Sequence, residues 1–270
     1  MNGDQHLALF CDFENIALGV RDSGYKNFDI GLVLERLLLK GSIVTKKAYC
    51  DWDRYKTFKP AMHEAAFELI EIPHIKLSGK NSADIRMVVD ALDLCYTKEH
   101  IDTFVIISGD SDFSPLVSKL RENAKTVIGV GVKQSTSDLL MSNCNEFIFY
   151  DDLTPSRAAG KSRAAKKTRT KKKSKKTKKK TARQKDDPAQ EAIDLVIETT
   201  EALYAERGDR EKLWGSMIKQ TLKRRQPGFS ESVYGFGSFS DLLEEAAKRK
   251  QLELERDEKS GGYIVRGISK

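Results

Sequence analysis

A thirty-residue run of basic residues divides this chain into two parts. Residues 156–185 contain 16 lysines and arginines, no acidic residue and no aliphatic side chain larger than alanine. Such a segment cannot bury enough apolar surface to offset the entropy lost on ordering, so we predict a disordered, extended linker. The flanking parts, residues 1–155 and 186–270, are each long enough to form a domain with its own hydrophobic core.

The linker also carries the excess positive charge of the chain. The formal net charge is +7, yet residues 1–155 hold 17 basic against 23 acidic side chains, and residues 186–270 hold 14 against 17. Lysine runs bind phosphates without reading sequence, so we expect the linker to contact RNA, with DNA as the alternative partner. A nuclear localisation signal at residues 171–180 is another explanation of the same run. The phosphate-binding candidates are Lys171, Lys172, Lys173, Lys175 and Lys176.

Several classes of protein are disfavoured by the rest of the composition. The apolar stretches fall far short of the roughly 20 residues that a membrane span needs, so we expect no membrane partner. Residues 1–4 do not form a basic region followed by an apolar run, which argues against a secretory signal. The four cysteines are far apart, which is typical neither of a disulfide scaffold nor of a short-spaced zinc module. A cytoplasmic location is therefore expected.

The first part alternates short apolar runs with segments of helical periodicity. The predicted strands are residues 7–11, 42–50, 74–77, 103–107, 126–132 and 146–150. The predicted helices are residues 29–40, with Gly41 as the C-terminal cap, then 55–70, 82–96, 114–123 and 137–143. Continuous apolar strands separated by helices predict an α/β domain with a doubly wound, mostly parallel sheet that is covered on both faces.

The second part has a different order of elements. Residues 189–205, 209–224 and 238–250 are predicted to be helical, and residues 251–256 and 262–266 are predicted to form a hairpin. Three helices followed by a hairpin is the order of a winged helix. We therefore expect a small α+β domain of this type after the linker.

Acidic residues follow two of the predicted buried strands. Asp12 ends the run at residues 7–11, and Asp110 and Asp112 follow residues 103–107. The carboxyl ends of parallel strands meet at one edge of a sheet, where ligands bind. Asp84, in the first turn of the helix at residues 82–96, is a third candidate for that edge. Taken singly, Asp84 complements a helix dipole and Asp112 supports a helix start.

Carboxylates that converge on one point repel each other, and a hard divalent cation relieves that repulsion. Mg²⁺ or Mn²⁺ takes oxygen ligands of this kind and is the expected cofactor. Such a centre can activate water and stabilise the charge on a phosphodiester during displacement.

Three motifs in this part together resemble the NYN domain. They are Asp12-Phe-Glu-Asn15, Lys80-Asn-Ser-Ala-Asp84 and Ser108-Gly-Asp-Ser-Asp-Phe113. That family is a branch of the PIN-like nucleases and includes the LabA-like bacterial proteins, and the resemblance covers roughly residues 7–150. It implies a PIN-like (Rossmannoid) sheet, a divalent-metal site and ribonuclease activity, endonucleolytic rather than exonucleolytic. It also implies catalytic, metal-binding roles for Asp12, Asp84, Asp110 and Asp112, supported by Asn15, Ser108 and Lys80.

The C-terminal part resembles the LOTUS domain, also called OST-HTH. The matching stretch is residues 227–239, followed by a wing that ends at residues 262–265. That family is an RNA-associated winged helix, and some of its members bind protein partners instead. We expect most of its aromatic residues, Phe229, Tyr234, Phe236 and Phe239, to form a core. The candidate RNA contacts, which are otherwise solvated helix faces, are Lys223, Arg224, Arg225, Lys248 and Arg249.

These observations predict a metal-dependent ribonuclease with a basic tether and an RNA-binding winged helix. The RNA can be single-stranded or structured. One alternative is a non-catalytic RNA-binding regulator of the same fold. Another is a nuclease that acts on DNA, because the basic linker would suit duplex DNA equally well.

Overall fold

The chain forms two units, one within residues 1–158 and the other within residues 159–270. The computed structural model describes residues 5–72, 82–154, 187–207, 212–257 and 261–268. The predicted linker at residues 156–185 lies outside these described ranges.

A six-stranded parallel sheet forms the centre of the first unit. The order of its strands across the sheet is β3-β2-β1-β4-β5-β6, and each neighbouring pair is parallel. The predicted doubly wound α/β architecture is therefore confirmed. The strands are β1 (Gln5–Asp12), β2 (Gly41–Cys50), β3 (Glu68–Glu71), β4 (Thr103–Ile107), β5 (Thr126–Gly131) and β6 (Glu146–Phe149).

Helices cover both faces of this sheet. Leu7, Leu9 and Cys11 of β1 pack towards α1, α2 and α3, whereas Ala8 and Phe10 pack towards α4, α5 and α6. The alternation of side chains along a strand therefore gives the unit two apolar cores. The helices are α1 (Phe13–Asp22), α2 (Ile30–Leu38), α3 (Lys59–Glu64), α4 (Ser82–Thr97), α5 (Ser114–Glu122), α6 (Asp138–Asn143) and α7 (Tyr150–Leu153), with 3₁₀ turns at Lys56–Phe58 and Ser111–Phe113.

The predicted helix at residues 55–70 is wrong over its second half. α3 ends at Glu64, and residues 68–71 form β3 instead. Ala66 adopts a left-handed conformation (φ 56°), and the Phe67 N–H donates to the Met62 carbonyl at 2.9 Å. An αL residue of this kind terminates a helix, and glycine is its usual occupant. The strand predicted at residues 74–77 lies outside the described part of the chain.

One further prediction for this unit needs correction. Gly41 does not cap α2, because Leu39 holds that position and Gly41 begins β2. A Cβ atom at Gly41 would lie 2.1 Å from the Gln5 carbonyl oxygen, so a close approach to β1 explains the glycine. The structure also contains α1, which was not predicted and begins directly after Asp12.

In its described residues, the second unit combines three helices with a three-stranded antiparallel sheet. The strand order in the sheet is β7-β9-β8. The elements are α8 (Pro188–Arg207), β7 (Leu213–Trp214), α9 (Gly215–Arg225), a 3₁₀ turn (Glu231–Tyr234), α10 (Phe239–Lys248), β8 (Leu252–Arg256) and β9 (Tyr263–Ile268). The helix predicted at residues 209–224 is wrong at its start, since β7 precedes α9 and pairs with β9.

The core of the second unit contains the aromatic residues of the 227–239 stretch. Phe229 and Phe239 are buried, and Tyr234 and Phe236 are half-buried against the same cluster. The expectation that these side chains build a core is confirmed. Over the described ranges of both units, no helix combines the length and apolarity that crossing a bilayer requires.

Candidate functional site

The two central strands of the first unit end side by side. Cys11 of β1 pairs with Ile107 of β4, so Asp12 stands level with Ser108, the residue that follows β4. The chain passes from β3 at one edge to β4 on the other side of β1, which makes this pair of strand ends the point where the strand order reverses. Ligands of open α/β sheets bind at such a point.

Asp12 is buried at the end of β1 and held from two sides. Its side chain is 6% exposed. The Asn15 backbone N–H donates to Asp12 Oδ1 at 3.3 Å, and the Ser108 hydroxyl donates to Oδ2 at 3.0 Å. The pKa of Asp12 is raised to about 7: burial is the largest cause, the nearby Asp84 and Asp110 carboxylates add to it, and the two hydrogen bonds partly oppose the rise.

The loop after β4 is fixed by hydrogen bonds to the same residues. The Asp110 N–H donates to Ser108 Oγ at 3.2 Å, and the Gly109 N–H donates to Asn15 Oδ1 at 2.9 Å. Ser108 therefore donates to one candidate acid and accepts from the backbone of another. Asn15 and Ser108 therefore each contact both Asp12 and the loop that follows β4.

Close backbone packing also positions this loop. A Cβ atom at Gly109 would lie 2.5 Å from the Ser135 carbonyl oxygen, which leaves no room for any other residue. The Ser137 N–H donates to the Gly109 carbonyl at 2.9 Å from the same turn. On the α1 side, a Cβ at Gly19 would lie 2.3 Å from Ser135 Oγ. The turn at Ser135 thus contacts both the loop and α1 through glycines.

Asp12, Asp84 and Asp110 line one cavity of about 450 Å³, which we call the acidic pocket. Asp84 reaches it from the first turn of α4. Burial raises the pKa of Asp84, and Asp110, Asp112 and Glu14 raise it further. Three of the four predicted acids therefore meet in one place.

Asp112 is the predicted acid that the structure does not bring into the acidic pocket. It lines a neighbouring cavity of about 720 Å³, whose wall also includes Asp84. Its N–H donates to Asp110 Oδ1 at 3.0 Å within the turn that precedes α5. The Asp112 backbone thereby helps to orient the Asp110 carboxylate.

Sequence analysis missed three charged residues of the acidic pocket. Glu14 lies in the first turn of α1, Asp51 directly follows β2, and Arg54 pairs with Glu14 at 2.9 Å. The rule that identified Asp12 and Asp110 applies equally to Asp51, because β2 is the next parallel strand in the sheet. The position of Asp51 directly after β2 is therefore the signal in the sequence that indicates it.

The oxygen-rich lining fits a hydrated Mg²⁺ or Mn²⁺ ion. Over the described ranges, no three Asp, Glu, His or Cys side chains stand close enough to hold one metal ion together. Mg²⁺ usually takes only one or two protein carboxylates and keeps several waters, so this spacing suits it. One or two of Asp12, Asp84 and Asp110 would bind such an ion directly, and the remaining acid would contact its waters.

Comparison with known proteins identifies the first unit. Residues 6–151 match the NYN domain, which is more than half of the chain. The chain belongs to the NYN domain family. That family suggests a PIN-like nuclease, a hydrolase that acts on nucleic acid. The six-stranded parallel sheet with helices on both faces fits the corresponding α/β fold.

Two similar proteins each match a little more than half of this chain. An uncharacterized protein of Methanocaldococcus jannaschii is 29% identical over 140 residues, which is 52% of this chain and 53% of that protein. The chain therefore spans about half the length of this curated relative. The crystal structure of a protein of unknown function from Vibrio parahaemolyticus has 25% sequence identity and a TM-score of 0.50, and the match covers 57% of this chain and 97% of that one.

The remaining predicted site residues lie away from the acidic pocket of the NYN domain or outside the described residues. Lys80 and the five linker lysines lie outside the described residues. In the second unit, Arg224 and Lys248 are exposed and Lys223 is half-exposed. Arg225 pairs with Glu198 at 2.6 Å, and Arg249 pairs with Asp187 at 2.6 Å and with Glu245 at 3.0 Å.

Proposed function

We propose that this chain is a divalent-metal-dependent ribonuclease whose active site is the acidic pocket. The observation that carries the proposal is that Asp12, Asp84 and Asp110 come from three separate elements and line one cavity of a NYN domain. Burial and repulsion by neighbouring acids raise the pKa of both Asp12 and Asp84, which is the electrostatic condition that a bound cation relieves. Likeness to LabA-like members and an endonucleolytic mode are parts of the same proposal.

The polar residues around Asp12 would keep the pocket in working geometry. Ser108 and Asn15 hold both carboxylate oxygens of Asp12, and Ser108 and Asp112 set the direction of the Asp110 loop. A divalent ion in the pocket would stabilise the charge of the phosphodiester and activate a water. Asp112 would act from the neighbouring cavity, through Asp110 and Asp84, and Lys80 keeps its expected supporting role.

We also propose that the second unit is a winged helix of the LOTUS (OST-HTH) type. The order of its described elements, in which α8 precedes the first strand and α9 and α10 follow it before the hairpin, supports this assignment. Arg224 and Lys248 are its exposed basic candidates for phosphate contacts, whereas Arg225 and Arg249 already pair with acids. RNA is the partner that we favour, and a protein is the partner that some resembling domains bind.

The test is a cleavage assay with the full chain. Labelled single-stranded RNA, structured RNA and DNA are each incubated with Mn²⁺, Mg²⁺ or EDTA. We expect RNA cleavage with metal and none with EDTA. Asp110→Asn keeps the acceptor for the Asp112 N–H and removes one charge, so it should fold normally and lower cleavage by roughly a hundredfold or more.

Asp93→Asn is the matched control because Asp93 is an exposed acid of α4 outside the acidic pocket. It should cleave as the wild type does. Full activity of Asp110→Asn, or cleavage that is indifferent to EDTA, would contradict the catalytic assignment and favour the non-catalytic RNA-binding regulator. Cleavage of DNA alone would replace the ribonuclease with the DNA-directed nuclease.

The linker is tested separately through the salt dependence of binding. Each phosphate contact contributes roughly −0.7 to −0.9 to the slope of log K against log[salt]. Deletion of residues 156–185 should therefore weaken RNA binding for every sequence and flatten that slope. An unchanged slope would mean that the linker is only a spacer.

A further inference from the structure

Arg54 is the one basic residue in the lining of the acidic pocket, over the residues that the structure describes. Five carboxylates share that lining, and they belong to Asp12, Glu14, Asp51, Asp84 and Asp110. Even with one divalent ion bound and Arg54 counted, the acids outweigh the positive charges. A phosphodiester is itself an anion, so its entry requires a positive group that is directed at the phosphate. Arg54 is the group of the described lining that can provide it.

The loop that carries Arg54 is fixed at its base. It follows β2, and the Arg54 N–H donates to the Asp51 carbonyl at 3.1 Å. Trp52 is fully buried, and the centroid of its ring lies 4.9 Å from that of Phe13. The Trp52 N–H also donates to Glu71 Oε1 at 2.9 Å, which connects the loop to β3. The backbone of Arg54 is therefore held in place without any contribution from its side chain.

The same packing connects Arg54 to the end of β1. Tyr55, the next residue in the chain, also packs on Phe13, with ring centroids 5.5 Å apart. Phe13 stands between Asp12 and Glu14 in the sequence, and both of these acids line the pocket. The loop is thus packed against the turn that presents two of the acids, and this packing fixes where Arg54 stands relative to them.

The guanidinium of Arg54 is oriented by Glu14 and is accessible to a ligand. Its Nη1 donates to Glu14 Oε1 at 2.9 Å, and the side chain is 51% exposed. A guanidinium carries five N–H groups in a planar fork that matches the oxygens of a phosphate, and this bond uses one of them. An exposed ion pair contributes little to stability, so the fold alone gives a weak reason for an arginine at this position.

We propose that Arg54 donates to a non-bridging oxygen of the phosphate that is cleaved in the acidic pocket. This inference rests on the proposed function and adds Arg54 to the acids as a catalytic residue. During hydrolysis a water oxygen bonds to phosphorus, the bond to the leaving oxygen breaks, and one water proton ends on that oxygen. A guanidinium that is oriented in advance stabilises the charge that develops in this step. Glu14 is then a positioning residue, because it holds the guanidinium before the strand binds.

The first experiment measures kcat and KM of the full chain on a single-stranded RNA. Arg54→Gln should lower kcat by roughly a hundredfold, as the loss of one donor to a developing charge does, and should change KM much less. Arg54→Lys keeps the charge without the planar fork, so it should recover part of that loss. Arg21→Gln is the matched control, because Arg21 is 71% exposed, pairs with Asp22 and lies outside the lining. Equal kcat for Arg54→Gln and Arg21→Gln would overturn the inference.

A charge-balanced pair of substitutions separates a contact with phosphate from a general effect on the charge of the pocket. Arg54→Gln leaves the Glu14 carboxylate uncompensated, which by itself repels a phosphate. The double variant Glu14→Gln, Arg54→Gln has the net charge of the wild type. It should remain as impaired as Arg54→Gln, whereas Glu14→Gln alone should lose kcat only severalfold. Recovery of wild-type cleavage by the double variant would overturn the inference, because Arg54 would then only neutralise Glu14.

A second readout separates this inference from the proposed function. The full-length Asp110→Asn protein, which should leave the strand intact, is mixed with single-stranded RNA and Mn²⁺ and treated with phenylglyoxal, a reagent that modifies arginine. Mass spectrometry then gives the modified fraction of each arginine, and RNA should protect Arg54 severalfold more than Arg21.

The combined outcomes distinguish the two proposals. Protection of Arg54 together with no RNA cleavage by the wild type in metal would support the phosphate contact and reject the nuclease. Cleavage by the wild type, with Arg54 unprotected and Arg54→Gln fully active, would support the nuclease and reject the contact.

Discussion

Carboxylates are used in opposite ways in the two units. In the NYN domain, Asp12 and Asp84 both line the acidic pocket, and burial and repulsion by neighbouring acids raise the pKa of each. In the second unit, Asp187, Glu231 and Glu255 each pair with a cation, and the pKa of each is lowered. The acids of the second unit therefore stabilise its fold, whereas those of the pocket oppose folding until something neutralises them.

Whether an acidic residue indicates a functional site therefore depends on which charged groups lie beside it. An acid beside a cation is accounted for by the fold alone, as with Arg249 between Asp187 and Glu245. An acid that is buried beside other acids destabilises the native state and calls for a functional reason. The arrangement of charge, rather than its amount, distinguishes the site from the scaffold.

The two tryptophans of the chain allow each unit to be followed separately. Trp52 lies in the NYN domain and Trp214 in the second unit. A Trp214→Phe background reports unfolding of the first unit, and a Trp52→Phe background reports unfolding of the second.

The largest effect should come from the ionisation of Asp12. Its pKa is about 7 in the folded state against 3.8 as the ordinary value. Because the folded pKa is the higher one, the stabilisation is complete below pH 3.8 and is lost as the pH rises through 7, on the order of 4 kcal/mol in total. Asp12→Asn should remove this contribution, so the variant should be the more stable protein at pH 8. Urea unfolding at pH 5 and pH 8, followed by Trp52 fluorescence, measures this change in the free energy of unfolding.

Asp93→Asn serves as the control for that measurement and should keep the full pH dependence of the wild type. If Asp12→Asn retained the wild-type dependence, the contrast between the two units would lose its main support.

Divalent metal should stabilise only the unit that contains the acidic pocket. At a Mn²⁺ concentration a hundredfold above Kd, the free energy of unfolding should rise by about 2.7 kcal/mol. The Trp52 signal should report this increase at pH 8 and a smaller one at pH 6, because protons compete with the metal for Asp12. An equal shift in the Trp214 signal would place the metal elsewhere.

The stability that the Lys219–Glu231 pair contributes to the second unit should depend on pH with the opposite sign. Burial raises the pKa of Glu231, but the hydrogen bond from Lys219 outweighs it and the pKa is lowered overall. This pair stabilises the fold above pH 4.5, and the stabilisation is lost as the pH falls below that value. Lys219→Met should therefore lower the stability by about 1–2 kcal/mol at pH 7 and by less at pH 3. Lys248→Met, at an exposed position, is the control in the Trp214 assay.

The smallest effect should be the same in both units. Ala66 in the first unit and Lys250 in the second both follow helices in a left-handed conformation, with φ of 56° and 58°. Glycine is free of the steric cost there, so Ala66→Gly and Lys250→Gly should each raise the stability by about 0.5–1 kcal/mol. Ala61→Gly, within α3, should lower it instead. A difference between the two units here would show that they differ in more than their charges.

Much of the site was predictable because parallel strands bring their ends together whatever their separation in the chain. That rule places Asp12 and Asp110 at one sheet edge, and the apolar runs of β1, β4 and β5 are clear in the sequence. Asp51 obeys the same rule at the end of β2. An acid such as Asp84, by contrast, can be assigned to the site or to the helix terminus only when its neighbours in space are known.

Other features depended on backbone conformations that residue types do not reveal. Alanine is the best helix former, so the sequence does not indicate that Ala66 adopts a left-handed conformation and ends α3. β7 has two residues and exists because β9 lies beside it. The neighbouring cavity of about 720 Å³ likewise follows from the placement of α4 and α6 and not from their composition.

The contact between Gly109 and the Ser135 turn means that this site can be lost in two distinguishable ways. Asp110→Asn alters its chemistry and leaves its shape, so such a protein would accumulate normally and be inactive. Gly109→Ala would force a methyl group against a carbonyl oxygen, so the loop, or the turn that it touches, would have to move. That protein would be scarce or short-lived although every acid is intact. A library screened for abundance and activity together would separate residues that react from residues that merely leave space.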